Sequence, residues 1–87
     1  MHVENMVSSR GNYVPNQFII KDDKGREIFQ SYETTIVIFD HGKITLDDNA
    51  LHYSATTSKY LYMFLGMSKK EILADKSIKY KNLNGGK

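Results

Sequence analysis

Eighty-seven residues with a net charge of +2, 40% hydrophobic content and no cysteine leave room for one thin core and exclude a disulfide framework, a thiolate metal site and a thiol nucleophile. The charge is uneven, −3 over residues 1–50 and +5 over residues 51–87; a basic C-terminal third can meet phosphates or an acidic protein face, or can simply solubilise a helical surface. The longest apolar runs, such as Ile36-Val37-Ile38-Phe39, fall far short of the ~20 residues of a membrane span, and Met1-His2-Val3-Glu4-Asn5-Met6 lacks the basic start and apolar run of an export signal.

A single domain over residues 1–87 is expected, with 1–8 and 84–87 loosely ordered, in an intracellular, reducing setting without membrane contact. Residues 1–16 are polar and weakly patterned. Arg10-Gly11-Asn12 reads as a turn, Pro15 pushes Val14 toward extended geometry, and a short strand around residues 3–7 is only faintly indicated. The first clear strand is Asn16-Gln17-Phe18-Ile19-Ile20-Lys21-Asp22. Asp22-Asp23-Lys24-Gly25 turns the chain back, and Arg26-Glu27-Ile28-Phe29-Gln30-Ser31-Tyr32 is the second strand. Neither of its faces is purely apolar, so the pattern leaves open which one points inward. Thr34-Thr35-Ile36-Val37-Ile38-Phe39 is β-branched almost throughout and apolar on both faces. Asp40-His41-Gly42-Lys43 forms a second hairpin loop before the strand Ile44-Thr45-Leu46.

A helix is expected over residues 56–65. Ser54 or Thr56 can cap it, Thr57, Tyr60, Leu61, Phe64 and Leu65 form its apolar stripe, and Gly66 stops it. Ser68-Lys69-Lys70-Glu71 is a capping box, with Met67 and Ile72 as a hydrophobic staple, so a short second helix is expected over residues 69–76. Residues 77–81 alternate as a short strand or extended tail, and residues 82–87 should fray.

The residues Arg10-Gly11-Asn12, Asn16-Gln17-Phe18 and Phe29-Gln30-Ser31-Tyr32 resemble those of a family of small uncharacterised proteins encoded by phages and prophages, mainly of Gram-positive bacteria. The resemblance continues through Leu46-Asp47, Tyr53-Ser54-Ala55-Thr56-Thr57-Ser58-Lys59-Tyr60, Phe64-Leu65-Gly66 and Asn82-Leu83-Asn84. It implies a phage accessory protein expressed in a bacterial cytoplasm and assigns no activity. Members of that family often carry Trp where this chain has His52, which speaks against a shallow aromatic platform there.

Catalysis and cofactors find little support. His2, His41 and His52 lack the spacing that puts two imidazoles on one metal, and no cofactor is expected. Asp22-Asp23 and Asp47-Asp48 sit at turns and lack a calcium-loop layout. Ser54, Thr56, Thr57 and Ser58 have only His52 as a nearby base, and helix capping accounts for at least one of them. The sharper idea is anion binding at the helix N-terminus, with Thr57, Ser58 and Lys59 supplying donors. Lys69, Lys70, Lys76, Lys79 and Lys81 would extend a basic face for nucleic acid, with Tyr62 and Tyr80 interleaved for stacking. Tyr32 and Tyr62 beside the second side of residues 36–39 offer interface material for a homodimer or a host protein.

The expected fold is α+β: an antiparallel meander of three or four strands packed by one amphipathic helix, plus a short second helix. Its expected core is Phe18, Ile20, Ile28, Ile36, Ile38, Leu46, Leu61, Phe64, Leu65, Ile72 and Leu73. The expected function is non-enzymatic: binding of a host protein or protein–nucleic acid complex, in its most concrete form inhibition of a bacterial defence nuclease in the manner of anti-CRISPR proteins. The alternative is a small nucleic-acid-binding protein. The candidate binding residues are Tyr32, Thr57, Ser58, Lys59, Tyr62, Lys69 and Lys70.

Overall fold

Turn chemistry builds the middle of the sheet. In the computed structural model, which describes residues 1–85, the Asp22 carboxylate accepts from the backbone N–H groups of Lys24 and Arg26, both at 2.9 Å, and Gly25 supplies a left-handed φ of 81°. Strands β2 (Tyr13–Lys21) and β3 (Arg26–Ser31) leave this loop as an antiparallel pair. A turn at Tyr32 and Glu33 leads into β4 (Thr34–Asp40), and Gly42, at φ 87°, turns the chain into β5 (Lys43–Asp47). A 3-10 turn (Ala50–His52), helix α1 (Ala55–Leu65) and helix α2 (Lys69–Ala74) follow.

The expected sheet of three or four antiparallel strands is corrected to a mixed sheet of six, in the order β1-β2-β3-β4-β5-β6. Strand β1 (His2–Val7) pairs antiparallel with β2, and β6 (Lys79–Lys81) pairs parallel with β5. Both additions are edge strands held by backbone ladders; the short strands indicated around residues 3–7 and over residues 77–81 carry no local sign of which strand they pair with. Strand β6 is parallel because both helices lie between it and β5, which makes the connection a crossover rather than a hairpin.

The two-sided apolar character of β4 has a local cause. The register slips between Phe29 and Gln30, so that Ile36 is the extra residue opposite β3. Such a bulge lets two successive side chains share one face, and Ile36 and Val37 are both fully buried. They join Met6, Phe29, Leu46, Ala50, Tyr60, Leu61, Ile72 and Ile78 in one cluster, with Phe64 and Leu65 packed against it. The Phe29 and Phe64 rings stack at 5.9 Å between centroids. Both helices and the 3-10 turn therefore serve the same face of the sheet.

That arrangement also corrects the expected core. Ile36, Leu46, Leu61 and Ile72 are buried. Phe18, Ile20, Ile28 and Ile38 lie on the opposite face, outside the cluster and half-buried, and Leu73 is 61% exposed. The helix ends follow their local signals. Ser54 caps α1 by accepting from the Thr57 N–H, Gly66 ends it at φ 66°, and Ser68 with Glu71 forms the capping box of α2.

Residues 82–85 are not a free strand end. The Asn84 side chain accepts from the Thr35 N–H at 2.8 Å and donates to the Thr35 carbonyl at 3.0 Å. It occupies the ladder position that β5 leaves empty beside the start of β4. Residues 86 and 87 of the expected loose tail lie outside the described residues.

Candidate functional site

The seven expected binding residues do not form one site. Thr57 turns into the sheet: it is 6% exposed, and its hydroxyl lies 3.0 Å from that of Ser31. The Ser54 hydroxyl meets it from the other side at 3.3 Å. The hydroxyls at the start of α1 thus join helix to sheet and cap the helix, and the expected anion site loses its central donor. Ser58 and Tyr62 are half-buried, while Lys59 is exposed with Nζ 5.6 Å from the centroid of the Tyr60 ring. Lys69 and Lys70 are exposed on the first turn of α2. Only Tyr32 shares a cavity with the start of α1, a space of about 250 Å³ bounded by Ser31, Ile36, Tyr53, Ser54 and Thr57. Tyr32 is 62% exposed and held at φ 56°, a region that costs bulky L-residues energy, and its N–H donates to the Asn16 carbonyl at 2.6 Å.

The largest concavity lies elsewhere, on the helix side of the sheet. A groove of about 540 Å³ runs between the β1–β2 pair and the C-terminal half of α1. Its lining is apolar through Met6, Val7, Ile19, Met63 and Phe64, with Tyr13 at one end and Glu4, Lys21 and Glu27 at the rim. A smaller cavity of about 150 Å³ extends it past Phe64 to Leu65 and Phe39 and shares Glu27. Met63 and Tyr13 are 44% and 78% exposed, so the groove opens to solvent. Sequence reading misses it because it is assembled from four elements, one of them the edge strand β1. Its one local trace is Met63, an apolar residue of α1 outside the stripe that faces the core.

A profile of a family of unknown function (DUF8033) matches residues 1–81. The chain belongs to that family. No curated protein matches the chain, and no solved structure does.

A cavity of this DUF8033 member lined by polar side chains, about 340 Å³, surrounds Asp47. Asp47 is 3% exposed, yet every lone-pair direction is used. One carboxylate oxygen accepts from the Leu83 N–H and the Asn84 amide, the other from the Asn49 N–H and the Tyr53 hydroxyl, all at 3.0–3.1 Å. Burial pushes the Asp47 carboxyl upward, but these donors outweigh it and hold the group below the ordinary carboxylate value. Burial raises the Tyr53 hydroxyl, and its bond to Asp47 and that residue's charge raise it further. A carboxylate so fully occupied holds structure together and has no lone pair left for a proton transfer. Asp48 lines the same cavity, but among the described residues no group of three or more His, Cys, Asp or Glu side chains could hold a metal. No helix among them is long and apolar enough to cross a membrane.

Proposed function

We propose that the protein is a non-enzymatic phage or prophage accessory protein that acts by binding a host protein, and that the partner docks in the groove beside α1. The groove itself carries the proposal: an open channel with apolar walls of Met6, Ile19, Met63 and Phe64 and a rim bearing Glu4, Lys21 and Glu27. Methionines suit such a surface, because their unbranched side chains repack around different partners. The groove lies over β1, β2 and β3 beside α1 and can take a helix supplied by the partner, with an apolar stripe and charges along its flank that meet Glu4, Lys21 and Glu27. The phage setting rests on the family resemblance. Its most concrete form is a blocker of a bacterial defence nuclease, in the manner of anti-CRISPR proteins.

A nucleic-acid reading draws on a different feature, the pair Lys79 and Lys81 flanking Tyr80 on the edge strand β6, all three exposed. Capture from bacterial lysate on the tagged protein, with and without nuclease, separates the two. Protein docking in the groove predicts a nuclease-resistant partner, retained as salt rises, that is lost on Met63→Lys while the melting curve stays unchanged. A captured partner that resists Met63→Lys would overturn the groove. Nuclease-sensitive capture that falls steeply with salt and is lost on combined Lys79→Glu and Lys81→Glu would establish the nucleic-acid reading instead.

A further inference from the structure

The face of the sheet turned away from the helices carries two ordered rows. At the hairpin end, the register sets Arg26 opposite Asp40 and Asp40 opposite Lys43, while Asp22, in the loop that follows β2, accepts from Arg26 Nε at 2.6 Å. Read from that loop across β3, β4 and β5, the charges run minus, plus, minus, plus. Two residues further along the strands the same register aligns Val3, Ile20, Ile28, Ile38, Thr45 and, at the β6 edge, Lys79. No helix of the chain packs on this row, and its isoleucines lie outside the core cluster.

We propose that this face is the interface of a homodimer, two copies packed sheet on sheet about a two-fold axis lying in the interface, along the strands, between β3 and β4. The alternating row is antisymmetric about that line. The rotation lays β3 of one copy over β4 of the other and β2 over β5. Asp22 then meets Lys43 of the second copy, Arg26 meets Asp40 of the second copy, and Ile28 packs on Ile38 at the centre. An axis running across the strands at that row would instead lay each strand on itself and set like charges against each other, which costs binding energy. A two-fold interface is self-complementary by necessity, and this row meets that requirement in one orientation only.

The area suits a weak dimer. Five strand spacings of ~4.8 Å make the sheet about 24 Å wide, and the six and seven residues of β3 and β4 make it about 22 Å long at its centre; about 500 Å² per copy, or about 1,000 Å² in all, sits at the lower bound of a specific interface. Sheets packed in this way sit ~10 Å apart at a shallow angle, a spacing that aliphatic side chains fill.

Sedimentation or light scattering on the full chain, from micromolar to about 100 µM, tests the proposal against dissociation constants in that range. The expected mass is twice the 10.0 kDa of one chain. Asp40→Lys, at an exposed hairpin end, should weaken the dimer about tenfold or more by opposing two cations, and adding Arg26→Asp should restore it. Ile38→Lys should give monomer, and Met63→Lys on the other side of the sheet should leave the dimer intact. Circular dichroism melting of each variant separates loss of association from loss of fold. A wild-type chain that stays at 10.0 kDa throughout, or a dimer indifferent to both Asp40→Lys and Ile38→Lys, would overturn the proposal.

Discussion

Asp47 ties together parts of the chain that no local pattern connects. Its four donors come from the loop after β5, from Tyr53 and from the two residues that follow Asn82. Because the folded carboxyl titrates below its ordinary value, its contribution is fully present above that ordinary value and is lost as pH falls through the folded one. Asp47→Asn should therefore cost about 1–3 kcal/mol near neutrality by replacing an acceptor with a donor. The gap between variant and wild type should begin to narrow as pH falls below about 4, the ordinary carboxylate value, and close as pH falls through the lower folded one. Urea unfolding at pH 7 and pH 3 measures both; a gap that stays constant with pH would remove the charge from the account. Tyr32 shows the opposite balance. Its left-handed φ serves the turn after β3 and leaves its ring 62% exposed. Tyr32→Gly should raise stability by about 1 kcal/mol, read as a higher melting temperature, because glycine adopts that conformation without a Cβ penalty.

At the scale of elements, α1 was readable from sequence because its signals are contiguous. Ser54 caps it and Gly66 ends it, while Tyr60 and Leu61 of the expected stripe are buried. Ser54→Ala should cost about 1 kcal/mol. Phe64→Ala should cost about 2–3 kcal/mol, less than a fully enclosed phenylalanine, since Phe64 also forms a wall of the groove. Thermal unfolding of the two variants checks the ranking. The strands were less readable in their facing than in their existence. Phe29 and Ile28 differ by one position, and only the tertiary contact with Phe64 decides which of them is core. The bulge at Ile36 hides the phase of β4 as well, since it breaks the two-residue period on which any facing argument rests. Thr57 was misplaced for a related reason: a hydroxyl near a helix start looks like a ligand donor until Ser31 is brought against it.

Across the whole molecule, what escaped the sequence is closure between distant parts. The short strands expected around residues 3–7 and over residues 77–81 show their partners only in the sheet, and the groove and the charged row exist only once the strands are in register. The Asn84–Thr35 bridge is the clearest case, joining side chain and backbone across a separation of 49 residues. It stands in for a missing strand residue, so its effect should be local. Asn84→Ala removes three side-chain hydrogen bonds of about 1 kcal/mol each, two to Thr35 and one to Asp47, frees the start of β4 from the end of the chain, and leaves the Phe29–Val37–Leu46 cluster in place. Amide exchange at Thr35 should then accelerate by roughly tenfold or more, while Phe29 and Val37 exchange at their former rates, as expected for opening confined to one part of the fold. Equal acceleration at all three amides would mean instead that the end of the chain stabilises the sheet globally and that β6 and Asn84 belong to the cooperative core.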